Sequence, residues 1–287
     1  MQTIGYIGVG IMGKPMVLNL LRAGFPVHFY ARKAAVIAEL EAAGAIPHPS
    51  IKELATVCDV IFTNVTATAD VEEILIGKNG VIQGAKPGCI VIDMSTIAAS
   101  ATQRFAGILE KKNIEMLDAP VSGGEQGAIA GTLSIMVGGK AETLAKVENI
   151  LNVVGKQIVH IGDHGAGQIA KACNQIIIAE TIIAVSEALR LAEASGVDAA
   201  KVRAALMGGF ASSRVLEVHG QRMLDNDFKP GFKAGLHRKD MHLALDQAHL
   251  ANIELPAAKH ATKCLDRLVL KGHSELDSAA IHLVAED

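Results

Sequence analysis

Apolar residues along this chain follow two rhythms, and the change from one to the other comes near residue 163. Before it, short β-rich runs alternate with segments of helical spacing. "TIGYIGVG" ends in glycines, and "MGKPMVLNLLRAG" follows with Val17, Leu20 and Leu21 on one helical face before Gly24 closes it. "PVHFY" reads as a second strand, Ala34 to Ala43 as a helix, and "VIFTNV", "CIVIDMS" and "IEMLDAP" as further strands. Strands separated by helix-length segments predict βαβ units and a parallel, doubly wound sheet, an α/β fold.

After "GDHGAG" the strand pattern stops. Gln168 to Ser195 is almost unbroken helix former, and the later segments also read as helices, with turn signals at "GGFASS", "DNDFKPGF" and "NIELP". The expected organisation is an α/β domain over 1–163 and an all-helical domain over 164–287, entered through one long helix. That helix is apolar on most of its circumference, through Ile176, Ile177, Ile178, Ile182, Ile183 and Val185, as a helix buried between domains or subunits is.

Composition narrows the function classes. Of 287 residues, 50% are hydrophobic and 20% charged, which fits a compact globular protein. A net charge of -3 and an aromatic fraction of 3% with no Trp argue against nucleic acid as a partner. Cys58, Cys89, Cys173 and Cys264 are widely spaced, which reads as reduced thiols rather than a disulfide framework or a zinc site. No basic and apolar leader is apparent at the N-terminus, and charged or amide residues interrupt the apolar stretches before the length of a membrane span. The expectation is a soluble cytoplasmic protein with no membrane partner. None of the 11 histidines falls in a ligand-spaced cluster, so no metal is expected.

Two glycine-rich turns carry the chemistry. Gly8, Gly10 and Gly13 stand in G-x-G-x-x-G spacing around Ile11 and Met12, directly after a strand and before a helix. The first glycine permits the tight turn, the second lets a pyrophosphate approach the backbone, and the third lets helix and strand pack closely. The next strand ends "HFYARK", where NAD-preferring sites place a carboxylate for the ribose hydroxyls. Ala31, Arg32 and Lys33 stand there instead, so Arg32 is the candidate partner of a 2′-phosphate, and NADP is the expected cofactor with NAD possible. The second turn, in "DAPVSGGEQGA", offers the Ser122 hydroxyl and the N–H groups of Gly123 and Gly124 to an anion such as a substrate carboxylate. One residue stands out further on. In "GQIAKACNQIII", Lys171 interrupts the start of the apolar helix, and such a lysine either reaches water along its stem or is kept inside for chemistry.

Taken in order, the N-terminal G-x-G-x-x-G, "DAPVSGG", "GTLSIMVGG", "GAGQIAKACNQ" and "GLHRKDMHLAL" resemble the β-hydroxyacid dehydrogenases over essentially the whole chain. The resemblance implies a Rossmann domain, a long interdomain helix and a helical C-terminal domain. It makes Lys171 the general acid/base, a role that partial burial suits by lowering a lysine's pKa toward the working pH. Asn174 and Gln175 lie one turn on, on the same face. Many members have Asn at the position of Gln175, and which of these two amides meets substrate stays open. Val65, Thr96, Lys239 and Asp240 fall at positions that meet the cofactor. His237 and Arg214 either face the cleft or are plain surface. The activity implied is NADPH-dependent reduction of a small carboxylate-bearing semialdehyde or keto acid by a homodimer or homotetramer, with tartronate semialdehyde first and glyoxylate or succinic semialdehyde reduction, or 3-hydroxyisobutyrate oxidation, as alternatives within the family. A non-catalytic dinucleotide-binding module is the alternative, and its mark would be loss of the lysine.

Overall fold

In the computed structural model, residues 1–284 are described, so the last three residues of the second expected domain lie outside them. By backbone proximity the chain divides into two compact units, Met1–Lys171 and Ala172–Asp287.

The first unit is a mixed sheet wrapped by helices. Its strands are β1 (Ile4–Ile7), β2 (Val27–Tyr30), β3 (Ile46–Pro47), β4 (Val60–Thr63), β5 (Ile90–Asp93), β6 (Glu115–Asp118), β7 (Val121–Ser122), β8 (Leu133–Gly138) and β9 (Gly155–Gly162). They run in the order β3-β2-β1-β4-β5-β6-β8-β7, with β9 beside β8. From β3 to β6 all pairs are parallel, which is the doubly wound core the sequence predicts. β8 then turns antiparallel to β6, and β9 pairs parallel with β8.

Alternate strand residues point to opposite faces and fill two cores. Ile4, Tyr6, Val60, Phe62, Ile90, Ile92 and Leu117 pack with Met16, Val17 and Leu20 of α1 (Gly13–Arg22) and with Val147, Ile150 and Leu151 of α7 (Ala141–Val154). Ile7, Ile61, Val91 and Met116 pack on the other face with α3 (Ile51–Val57), α4 (Thr68–Ile76) and α5 (Ala99–Glu110). Because both faces are covered, the strands read as continuous apolar runs rather than alternating ones. Each fully buried Leu, Ile or Phe adds about 1.5–3 kcal/mol.

α8 (Ala166–Ala194) is 29 residues long, and the division between the units falls inside it, after Lys171. By length and composition it could cross a membrane. Its buried polar residues Gln168, Lys171, Gln175 and Ser186 are instead those of a protein interior.

The second unit adds α9 (Ala199–Leu206), α10 (Arg214–Leu224), α11 (Ala234–Leu250) and α12 (Pro256–Leu270). Local chemistry starts three of them: Asp198 accepts from Ala200 and Lys201 N–H, Ser213 accepts from Leu216 N–H, and Pro256 opens α12. Their core gathers Ile182, Leu189, Leu216, Met223, Met241, Leu265, Leu268 and Ile281.

Candidate active site

The parallel strands end in register. Ile7 lies beside Tyr30 and Thr63, Thr63 beside Asp93, and Asp93 beside Asp118, so the loops that follow all open on one edge of the sheet. In open α/β sheets this edge is where ligands bind.

The loop from β1 into α1 is shaped for a dinucleotide. Gly8 has φ +97, and a Cβ there would collide with the Asn64 carbonyl; one on Gly13 would collide with the Gly8 carbonyl. Gly10 is different: nothing lies within 4 Å of where its Cβ would be. That open face lets a diphosphate approach the backbone, and Met12, at the N-cap of α1, leaves the helix's first N–H groups without a side-chain cap. Ile11 is exposed and Met12 is half-buried against the sheet core. Arg32 follows β2 on the same edge and is exposed. Val65 follows β4, and its N–H donates to Ser95 Oγ at 3.0 Å. Thr96 is half-buried in the loop after β5.

Ser122 ends β7, half-buried, opposite Ser134 of β8. Gly123 (φ +133) and Gly124 (φ +62) take backbone conformations that side chains disfavour. They leave their N–H groups at the start of α6 (Gly124–Ala130), where no side chain caps them.

Lys171 is 8% exposed in the second turn of α8. The start of that helix is held by Asp118, which nothing in the sequence marks out. Asp118 Oδ1 accepts from Gly165 N–H at 2.8 Å, and its Oδ2 accepts from Gln168 N–H at 3.0 Å. Burial pushes the Asp118 carboxyl up, and these two N–H groups only partly offset it. A Cβ on Gly167 would meet the Asp118 carboxylate and the Met136 carbonyl, which is why "GAG" opens this helix. On the neighbouring strand, Asp93 Oδ1 accepts from Thr63 Oγ1 at 2.8 Å and Ser95 N–H at 3.1 Å. Burial pushes Asp93 to about 6 despite those bonds, with Asp118 beside it adding to the rise. In the sequence both aspartates look like turn residues after a strand.

In the second unit the amide and KD motifs form one chain of contacts. Asn174 Nδ2 donates to Gln175 Oε1 at 2.7 Å, and Gln175 Nε2 donates to Asp240 Oδ2 at 2.7 Å. Lys239 Nζ lies 2.9 Å from Asp240 Oδ1. Gln175 is 2% exposed with both ends of its amide engaged, while Asn174 is half-buried. His237 is no surface residue: it is wholly buried, with Nε2 3.3 Å from the Gln175 carbonyl and its ring against Phe232. Arg214 is exposed and pairs with Glu217. Among the described residues no group of three or more metal-binding side chains comes together.

Fold and site thus define a dinucleotide-binding enzyme with a helical second domain. The NAD binding domain of 6-phosphogluconate dehydrogenase matches residues 3–162, and the family described as NAD-binding of NADP-dependent 3-hydroxyisobutyrate dehydrogenase matches residues 165–284. The 2-hydroxy-3-oxopropionate reductase of Escherichia coli is 45% identical, over 97% of this chain and 95% of its own. The NAD-dependent L-serine dehydrogenase of Pseudomonas aeruginosa is 33% identical, over 98% and 97%. Among solved structures, Mycobacterium tuberculosis 3-hydroxyisobutyrate dehydrogenase with L-serine superposes with a TM-score of 0.92 at 32% identity, covering 100% of both chains. The chain belongs to the β-hydroxyacid dehydrogenase family and is an NAD(P)-dependent oxidoreductase acting on hydroxyl groups.

Proposed function

We propose that this enzyme reduces a small semialdehyde or keto acid to the hydroxy acid with NADPH, and that tartronate semialdehyde, giving glycerate, is its substrate. The observation that carries the reading is Lys171, kept almost wholly from solvent on α8 one turn beyond residues bound to the strand-end edge. The 45% likeness to a 2-hydroxy-3-oxopropionate reductase supports the substrate.

In this reading the Ser122 hydroxyl and the Gly123 and Gly124 N–H groups hold the substrate carboxylate. Lys171 gives its proton to the carbonyl oxygen as negative charge develops there, and takes it back in the oxidative direction. Gln175, tied to Asp240, orients Asn174, and Asn174 is the amide that meets the substrate oxygen. Gly8, Gly10, Ile11, Met12 and Gly13 cradle the dinucleotide, with Val65, Thr96, Lys239 and Asp240 around its nicotinamide end. Arg32 binds the 2′-phosphate. The nicotinamide, when bound, supplies the hydride. The apolar residues Ile169, Ile177 and Leu191, exposed along α8, support a homodimer or homotetramer, and the protein works in the cytoplasm. The domains are taken as 1–163 for the cofactor and 164–287 for substrate and assembly.

The test is a panel of tartronate semialdehyde, glyoxylate, succinic semialdehyde, 3-hydroxyisobutyrate and L-serine, assayed with NADP(H) and NAD(H). Tartronate semialdehyde with NADPH should give the highest kcat/KM; fastest turnover of L-serine with NAD would replace this substrate reading. Lys171→Ala should lower kcat about 10²–10⁴-fold or more. Retention of more than about a tenth of the rate would remove the lysine from the chemistry. Arg32→Ala should cut the NADPH over NADH preference roughly ten- to hundredfold, the worth of one charge-assisted contact. An unchanged ratio would leave Arg32 a solvated charge.

A further inference from the structure

Three positions before Lys171, α8 carries a glutamine that is 3% exposed. Both ends of its amide are spent on one short loop. Gln168 Nε2 donates to the Ser95 carbonyl at 2.9 Å, and Gln168 Oε1 accepts from Ile97 N–H at 3.1 Å. The residue bracketed between them is Thr96. Ser95 is held from two further sides, by its N–H to Asp93 Oδ1 at 3.1 Å and by Val65 N–H donating to its Oγ at 3.0 Å. Gln168 is itself fixed at the backbone, where its N–H donates to Asp118 Oδ2.

This wiring exceeds what stability alone requires. A loop backbone can be satisfied by water or by its own turns, whereas here one side chain completes the donor and the acceptor on either side of a single residue, as an adjacent strand would. Residues three apart on a helix share a face and lie about 4.5 Å apart along its axis, so the clamp and Lys171 sit on adjoining turns of one rigid rod.

We propose that Gln168 is a positioning residue for the reaction: it locks the loop bearing Thr96, and through Ser95 the loop bearing Val65, to the turn of α8 that carries Lys171. The spacing between the nicotinamide edge of the site and the lysine ammonium is thereby set by one amide. The inference rests on the reading of Lys171 as the acid/base and of Thr96 and Val65 as cofactor contacts.

The experiment compares wild type with Gln168→Met, which keeps length but neither bond, and Gln168→Glu, which keeps only the acceptor toward Ile97. Without cofactor, amide hydrogen exchange at Ile97 should accelerate about tenfold or more in Gln168→Met, less in Gln168→Glu, with the β1 and β4 amides unchanged. In turnover, kcat should fall about ten- to hundredfold, as a misplacement of about 1 Å does, while KM for the acid changes by less than about threefold. The isotope effect with NADPH deuterated at the transferred position should rise, because the chemical step becomes limiting. A purely structural glutamine would lower the thermal midpoint and leave kcat and the isotope effect of the folded fraction at wild-type values; that result overturns the proposal, as does unchanged exchange at Ile97. If Gln168→Met does not fold, Gln168→Glu, which loses the bond to the Ser95 carbonyl, is judged by kcat and the isotope effect. The lysine reading fails separately, through an active Lys171→Ala, and exchange at Ile97 does not depend on it.

Discussion

Asp93 of the α/β unit and Asp277 of the helical unit are both wholly buried, and their carboxyls are shifted in opposite directions. Asp277, ahead of the closing 3₁₀ turn of the helical unit, is 0% exposed and sits at about 2. Burial would raise it, but His219, Arg222 and the N–H groups of Gly231, Phe232 and Ala279 all point at its oxygens and outweigh burial. Asp93 in the α/β unit is equally buried, yet it sits at about 6. It accepts from one hydroxyl and one N–H, its Oδ2 has no hydrogen-bond partner, and its strand neighbour is another carboxylate, Asp118. Burial is common to both; the number and charge of the groups facing the carboxylate decide the sign. The helical unit uses its carboxylate as a structural hub. The α/β unit tolerates a costly one at the edge where the parallel strands end.

The largest expected effect is on the hub. Asp277→Ala leaves the half-buried Arg222 and three N–H groups without their acceptor and should destabilise the protein by about 3–5 kcal/mol, at about 1–3 kcal/mol for each donor left unsatisfied, measured by urea unfolding at pH 7. A cost below about 1 kcal/mol would mean that water replaces the carboxylate and the contrast is not one of partners. A smaller and pH-dependent effect belongs to Asp93. Because its folded pKa is raised, the protonated form favours folding; its contribution is fully present below about pH 4 and is lost as pH rises through about 6. The cost, from a rise of about two units, is on the order of 3 kcal/mol. Asp93→Asn should therefore gain on wild type between pH 4 and 7, and a difference flat across that range would refute the assignment. Asp277 runs the other way: its stabilisation is present above about pH 4 and fades as pH falls through about 2. The smallest effect is expected at Asp118, where Asp118→Asn keeps one acceptor for Gly165 or Gln168 and loses the other, costing about 0.5–2 kcal/mol as a lost helix cap does. Combined with Asp93→Asn the cost should exceed the sum of the two single changes, since each single change already relieves the repulsion and the double change relieves it only once; strict additivity in a double-mutant cycle would show that they do not interact.

Much of the architecture was legible because short-range signals agreed with it. The strands of the parallel core announce themselves as apolar runs bounded by glycines, and "GYIGVGIMG" places a turn, a phosphate cradle and a helix start within nine residues. The antiparallel β8 and the edge strand β9 do not stand out as strands in the sequence, and β9 is exposed along most of its length, without the alternation of a half-buried strand. Lys171 was conspicuous because a charge in an apolar run is costly. Gln168, Ser95, Asp93 and Asp118 were not, because a glutamine near a helix start or an aspartate after a strand is ordinary in sequence.

What the sequence by itself determined is what depends on neighbours a few residues away: helix and strand periods, the left-handed glycines at 8, 123 and 124, the absence of a carboxylate after β2, and the membership of Lys171, Asn174 and Gln175 in one helical face. Tertiary structure decided which polar groups meet. Asp118 reaches Gln168 across 50 positions and Gln168 reaches Ser95 across 73, and no local pattern encodes such a distance. The same holds for the two amides: adjacent in sequence, Asn174 and Gln175 differ because Asp240, 65 positions on, takes up one end of Gln175. Strand register sets Asp93 beside Asp118, whereas helix packing brings Asp240 to Gln175. Whether a buried carboxylate then rests at about 6 or at about 2 depends on partners that only the folded chain assembles.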